Sequence, residues 1–219
     1  MSRPYFETVK SFADVPISED GVDTTSFLEA SDGLVLLFDL LGSGVFAFVQ
    51  SDIRGNIEEC IYHRLFNSCE YLFLNSFFQG VRTRYQSASS GSSTLENLVR
   101  SETSEGHRHG TGCLVRLTRG LTFLCKALQH MQTEPSLELH ACFKRSYDEV
   151  LRHHHTFVVR SLAFVAVRAA PHRRDFYARI AQGGSEEKLD IELSKWLAGL
   201  DVIVKRLKAF IEEGGYGKV

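Results

Sequence analysis

Two polar residues, Asp52 and Asn56, stand four apart in SDIRGNIE, so on a helix they share one face. Gly55 beside them leaves room for a ligand or a partner backbone. A carboxylate and an amide of short reach, on a face continuous with apolar residues, suit the holding of amide and hydroxyl groups. Spacing alone favours the plainer reading, a surface pair beside a helix bend. Arg116 and Arg119, three apart in CLVRLTRGLTFLC, are neighbours on a helix and can form a fork for a phosphate or carboxylate. The commoner fate of such a pair is a solvated basic edge. Arg116 follows Leu114 and Val115, which puts it at the margin of the apolar face.

The run RHHHTF (152–157) invites a metal reading, but consecutive helical residues point about 100° apart, so His153, His154 and His155 cannot all reach one ion. No Asp or Glu lies three residues before any histidine, which removes the Glu-x-x-His pattern of carboxylate-bridged metal bundles. His107 and His109 sit in a polar stretch and say little. No GxSxG occurs, no phosphate-binding GxxxxGK[ST] occurs, and no cysteine has a recognisable histidine partner. No catalytic set, metal site or cofactor site emerges, so the chain is expected not to be an enzyme.

The elements that must position these residues read as helices throughout. From Thr24 to about Ile61, apolar residues recur at three and four, with Thr25 or Ser26 as the cap. Leu114, Leu117, Leu121, Leu124 and Leu128 stripe a second helix over about 113–131. A third spans about 136–167 with a break near His153, and Pro171 stops it. A short helix follows over about 173–181, ending at Gly183 and Gly184, and the last runs from a Ser185 cap to Ile211. Between them, the polar, flexible stretch at about 86–112 holds one short helix at 94–102. The segment 59–80 is aromatic-rich, nearly uncharged and out of pattern, so it reads as an insertion. Nothing alternates like a strand over a useful length, and the class is all-α.

A chain of 219 residues fits one domain spanning 1–219, and 43% hydrophobic with 24% charged residues is an ordinary globular balance. A net charge of −2 offers no global basic field for nucleic acid. Five cysteines without CxxC spacing, and an N-terminus unlike a signal peptide, point to reduced thiols in the cytoplasm. No stretch approaches the roughly 18–20 apolar residues of a membrane span, so any handling of lipid would be peripheral.

Taken in order, DIRGNI (52–57), LVRLTRGLTFL (114–124), HHTFVV (154–159) and AAPHRRDFYARI (169–180) resemble the glycolipid transfer protein family, above all its fungal members. The likeness covers almost the whole chain except about 59–80. It implies a two-layer sandwich of about eight α-helices with one internal apolar pocket, and non-enzymatic transfer of a sphingolipid between membranes. By resemblance, Asp52 and Asn56 hydrogen-bond the sphingoid amide and head group, His155 contacts the ceramide carbonyl, and Phe157 takes the place of an aromatic that dips into the membrane. Tyr216 is a looser counterpart of a C-terminal tyrosine.

Two departures follow. Glycolipid-binding members carry a Trp where Arg116 stands, whereas the ceramide-1-phosphate branch carries Arg there, with a second Arg one turn earlier and a Lys for Asn56. Here the earlier position is Gly112 and Asn56 is retained, so the head-group site is a hybrid, with Arg119 as a possible accessory. The family's Lys three residues after Asn56 is Glu59, where the insertion begins; without 59–80, GNIE would run straight into VRTRYQ. The insertion reads as an extra membrane-facing loop or a translated intron. The alternative to transfer is a sphingolipid sensor or signalling adaptor that binds but transfers poorly.

Overall fold

The computed structural model describes residues 4–41, 74–88 and 91–219. Among them are eight α-helices: α1 Thr24–Leu41, α2 Leu74–Ser87, α3 Leu95–Ser104, α4 His109–Thr133, α5 Leu139–Val150, α6 Phe157–Arg168, α7 Arg173–Ala181 and α8 Glu186–Glu213. Three short 3-10 turns join them, at Tyr5–Glu7, Phe12–Asp14 and Arg152–His154. The described residues hold isolated β-bridges, Ile17 with Val22 and Asp23 with Thr94, and no strand.

The leucine stripe makes α4 the central helix. Leu114, Leu117, Leu121, Leu124 and Leu128 are all inaccessible to solvent, and α5, α2 and α8 pack around them. Ser146 on α5 donates to the Phe123 carbonyl at 2.6 Å, a polar tie inside this apolar contact. On α8, Leu189, Leu193, Trp196, Leu200, Ile203 and Leu207 are buried at helical spacing. The N-terminal turns close over α8: the Phe12 ring lies 5.1 Å from Trp196 and 6.0 Å from Phe27. Gly199 is required there, because a Cβ would collide with the Ala13 backbone.

The expected boundaries of the later helices hold within a few residues. Ser185 caps α8 by accepting from Lys188 N, and the third stretch breaks at Arg152–His154, where His155 and Thr156 turn extended before α6. Three expectations change. The cap of α1 is Asp23, whose carboxylate accepts from Ser26 N at 2.7 Å, rather than Thr25 or Ser26. The continuation of that helix beyond Leu41 lies outside the described residues. The polar stretch 86–112 is tied down in its second half: the buried Glu102 carboxylate accepts from Gly110 N, Thr111 N and Thr111 Oγ1 at 2.6–2.8 Å and so caps the start of α4.

The third change concerns the insertion. Its last seven residues form the first half of α2, continuous with Val81–Ser87, and Phe77 and Phe78 are buried in the core. Phe78 packs 6.3 Å from Phe27, and Gly80 lies against Cys113 of α4. A membrane-facing loop does not describe these residues, whose aromatic rings point inward.

Candidate functional site

His155 is placed by the helix break. The Arg152–His154 turn ends α5, and the extended backbone at His155 swings its ring back under α5 while His153 stays at the surface. His155 is 4% exposed, and its Nδ1 lies 3.0 Å from the Tyr147 hydroxyl. Burial lowers its pKa to about 4, helped by the nearby charges of His154, Arg119 and Arg160. The imidazole is therefore neutral at pH 7. Nδ1 shares a hydrogen bond with the Tyr147 hydroxyl, and Nε2 is buried with no partner among the described residues. A buried ring nitrogen without a partner is costly, and in the tautomer that protonates Nε2 a carbonyl oxygen would satisfy it.

Two residues on, Phe157 opens α6 and is 82% exposed. Val158, Phe164 and Val165 share that outward side at 49, 47 and 42% exposure, while Val159, Ala163 and Val167 face inward. A groove of about 580 Å³ runs between this helix and α5, and Tyr147, the partner of His155, lies on it. The groove therefore joins Tyr147, the partner of His155, to the exposed apolar residues Phe157, Phe164 and Val165.

The arginines part company. Arg116 is half-buried, with its guanidinium carbon 5.8 Å from the centre of the Phe77 ring. Arg119 donates from Nε and Nη2 to the Lys218 carbonyl at 2.8 and 2.5 Å. Arg119 thereby fastens the C-terminal segment along α4, where Gly217 lies against Val115 and Tyr216 packs on Phe210. Asp52 and Asn56 lie outside the described residues. His109 begins α4, 3.9 Å from the Cys113 sulfur. No group of three metal-ligating side chains occurs among the described residues.

Sequence reasoning missed Tyr147, Phe77 and the Lys218 carbonyl. Each acts across a helix break or a long chain separation, where periodicity carries no information.

An all-helical domain with a neutral buried imidazole two residues before an exposed apolar helix face is an arrangement suited to an amphiphile. The family model described as glycolipid transfer protein matches residues 22–79 and 74–182. A glycolipid transfer protein of Aureobasidium melanogenum is 36% identical over 208 residues, covering 94% of this chain and 92% of that protein. The chain belongs to the glycolipid transfer protein family.

Solved structures agree. HET-C2, a fungal glycolipid transfer protein, superposes with a TM-score of 0.79 at 34% identity, covering 95% of this chain and 96% of its own. The FAPP2 structure, described as selecting simple glycosphingolipids with the same fold, gives 0.78 at 26% identity and 98% coverage of both chains. Human ceramide-1-phosphate transfer protein, bound to 12:0 ceramide-1-phosphate, gives 0.76 at 19% identity and 98% coverage of both chains, a likeness of fold alone. The fold is the expected helical sandwich. The two matched stretches overlap at 74–79, so the residues that open α2 fall in both.

Proposed function

We propose that the chain is a cytoplasmic carrier that moves a sphingolipid between membranes without chemistry, touching each membrane peripherally and transiently. The observation that carries this reading is the His155 Nε2, a buried ring nitrogen without a partner among the described residues, two positions before the exposed Phe157 of α6, in a chain of the glycolipid transfer protein family. The ceramide carbonyl accepts from His155. Asp52 accepts from the sphingoid amide, Asn56 bonds the amide and head group, and Arg116 meets the head group at the margin of α4. Arg119, one turn on along α4, is its accessory and also holds the C-terminal segment through the Lys218 carbonyl. Phe157 enters the bilayer while the chains pass into the apolar interior. Among the described residues no helix is long and apolar enough to cross a membrane.

A vesicle-to-vesicle assay with glucosylceramide, galactosylceramide and ceramide 1-phosphate tests this reading. Transfer of at least one, lost in Asp52→Val and His155→Leu, is expected; transfer of none would sink it. A second reading has one observation in its favour. The Phe77 ring beside Arg116 belongs to the atypical segment, so the head-group residue already has an apolar neighbour. A sensor or adaptor would bind the same lipid tightly in equilibrium measurements yet move it slowly.

A further inference from the structure

Tyr147 lies in the last turn of α5, and His155 follows it across the Arg152–His154 turn. Backbone and side-chain bonds hold that turn. Leu151 N donates to the Tyr147 carbonyl at 3.0 Å, His154 N to the Leu151 carbonyl at 2.9 Å, and Arg160 Nε of α6 to the Arg152 carbonyl at 3.0 Å. Both rings are buried, with centres 5.6 Å apart and planes inclined at 44°, and the hydroxyl meets Nδ1 at 3.0 Å. A neutral imidazole carries one N–H, so the role Tyr147 plays at Nδ1 decides what Nε2 offers. If the hydroxyl donates, Nε2 keeps the proton and needs an acceptor. If the hydroxyl accepts, Nε2 presents a lone pair and needs a donor. A phenol oxygen shares its lone pairs with the ring and accepts weakly, whereas an unprotonated imidazole nitrogen accepts strongly, which favours donation by Tyr147.

We propose that Tyr147 is a positioning residue of the lipid site: its hydroxyl donates to Nδ1, fixes the Nε2–H tautomer of His155 and so presents a donor to the ligand's carbonyl. The proposal rests on the reading of His155 as the partner of the ceramide carbonyl and adds what sets its proton. Titration separates the two pairings by sign. A donor to Nδ1 serves only the neutral ring, so its removal in Tyr147→Phe raises the His155 pKa from about 4. Removal of an acceptor used by Nδ1–H would lower it, because the charged ring donates more strongly. The charged groups facing the ring, His154 of the turn, Arg119 of α4 and Arg160 of α6, are the same in both proteins.

The test is a long-range proton–nitrogen correlation spectrum of the histidine rings in the lipid-free protein at pH 7.5. His155 is assigned by the signal missing from His155→Gln. Wild type should show a protonated Nε2 and a bare Nδ1; the reverse pattern would overturn the proposal whatever the variants do. Tyr147→Phe, its fold checked by circular dichroism, should show a mixture of tautomers and a raised His155 pKa. An unchanged tautomer, or a lowered pKa, would remove Tyr147 from this role. Transfer of galactosylceramide or ceramide 1-phosphate between vesicles should slow about tenfold in Tyr147→Phe, the order of one misdirected buried hydrogen bond. Because Tyr147 acts through His155, the same substitution should change lipid extraction less than about twofold in a His155→Leu background. An equal loss in both backgrounds would make Tyr147 a packing residue only. The spectrum needs no lipid, so the two readings fail separately. An Nε2–H ring in a chain that moves neither lipid fails only the carrier, and transfer with the reverse tautomer fails only this proposal.

Discussion

At the scale of single residues, the state of His155 links site and stability. Its folded pKa of about 4 lies below the ordinary histidine value, so the unfolded chain binds the proton more readily. Stability is therefore full above about pH 6.5 and falls with pH between there and about 4, by about 2 kcal/mol at pH 5. Urea unfolding at pH 7.5 and 5 should show this loss, and His155→Gln should remove it; an unchanged slope would place the ring's burial in error. The second residue is Arg116. Arg116→Trp offers a flat apolar face to a sugar and removes a cation from a phosphate, so the ratio of glycosylceramide to ceramide 1-phosphate transfer should rise about tenfold, the order of one charge-assisted bond. An equal ratio in both proteins would show that Arg116 does not select the head group. His155, Phe157 and Arg116 were all singled out by motif resemblance. Tyr147 was not, because its bond to His155 spans the turn between two helices, where no spacing rule applies.

At the scale of elements, the periodic leucines announced α4 and α8, and glycine, proline and serine marked the ends of α7 and α8. Polar character misled only where polar atoms do structural work inside the protein. Glu102 is the clearest case. Burial pushes its carboxyl up, but the Thr111 and Gly110 donors and the charge of Arg84 outweigh that and leave it below the usual carboxylate range. Read as linker, SETSEGHRHGTG contains the acid that fixes the first turn of the central helix. Glu102→Ala leaves these donors unpaired and should cost about 3 kcal/mol, read as a lower denaturation midpoint with an unchanged slope. Gly199→Ala, pressing on the Ala13 backbone, should cost about 1–3 kcal/mol and expose the N-terminal turns to limited proteolysis before the rest unfolds.

At the scale of the whole molecule, the seating of 74–80 decides how the atypical segment is understood. Composition marked it as foreign because it is aromatic-rich and nearly uncharged in a well-patterned chain, yet a continuous helix into Val81–Ser87 turns Phe77 and Phe78 inward. Phe78→Ala should then cost about 3–5 kcal/mol, whereas a dispensable segment would lose almost nothing. Trp196 has a consequence of a different kind. It is the sole tryptophan, fully buried between α8 and the N-terminal turns. Its emission should be blue-shifted, resistant to aqueous quenchers and indifferent to vesicles, so it reports unfolding without interference from docking. A tryptophan introduced at position 116 would supply the missing second colour, a fluorophore at the proposed head-group position read against a silent internal standard.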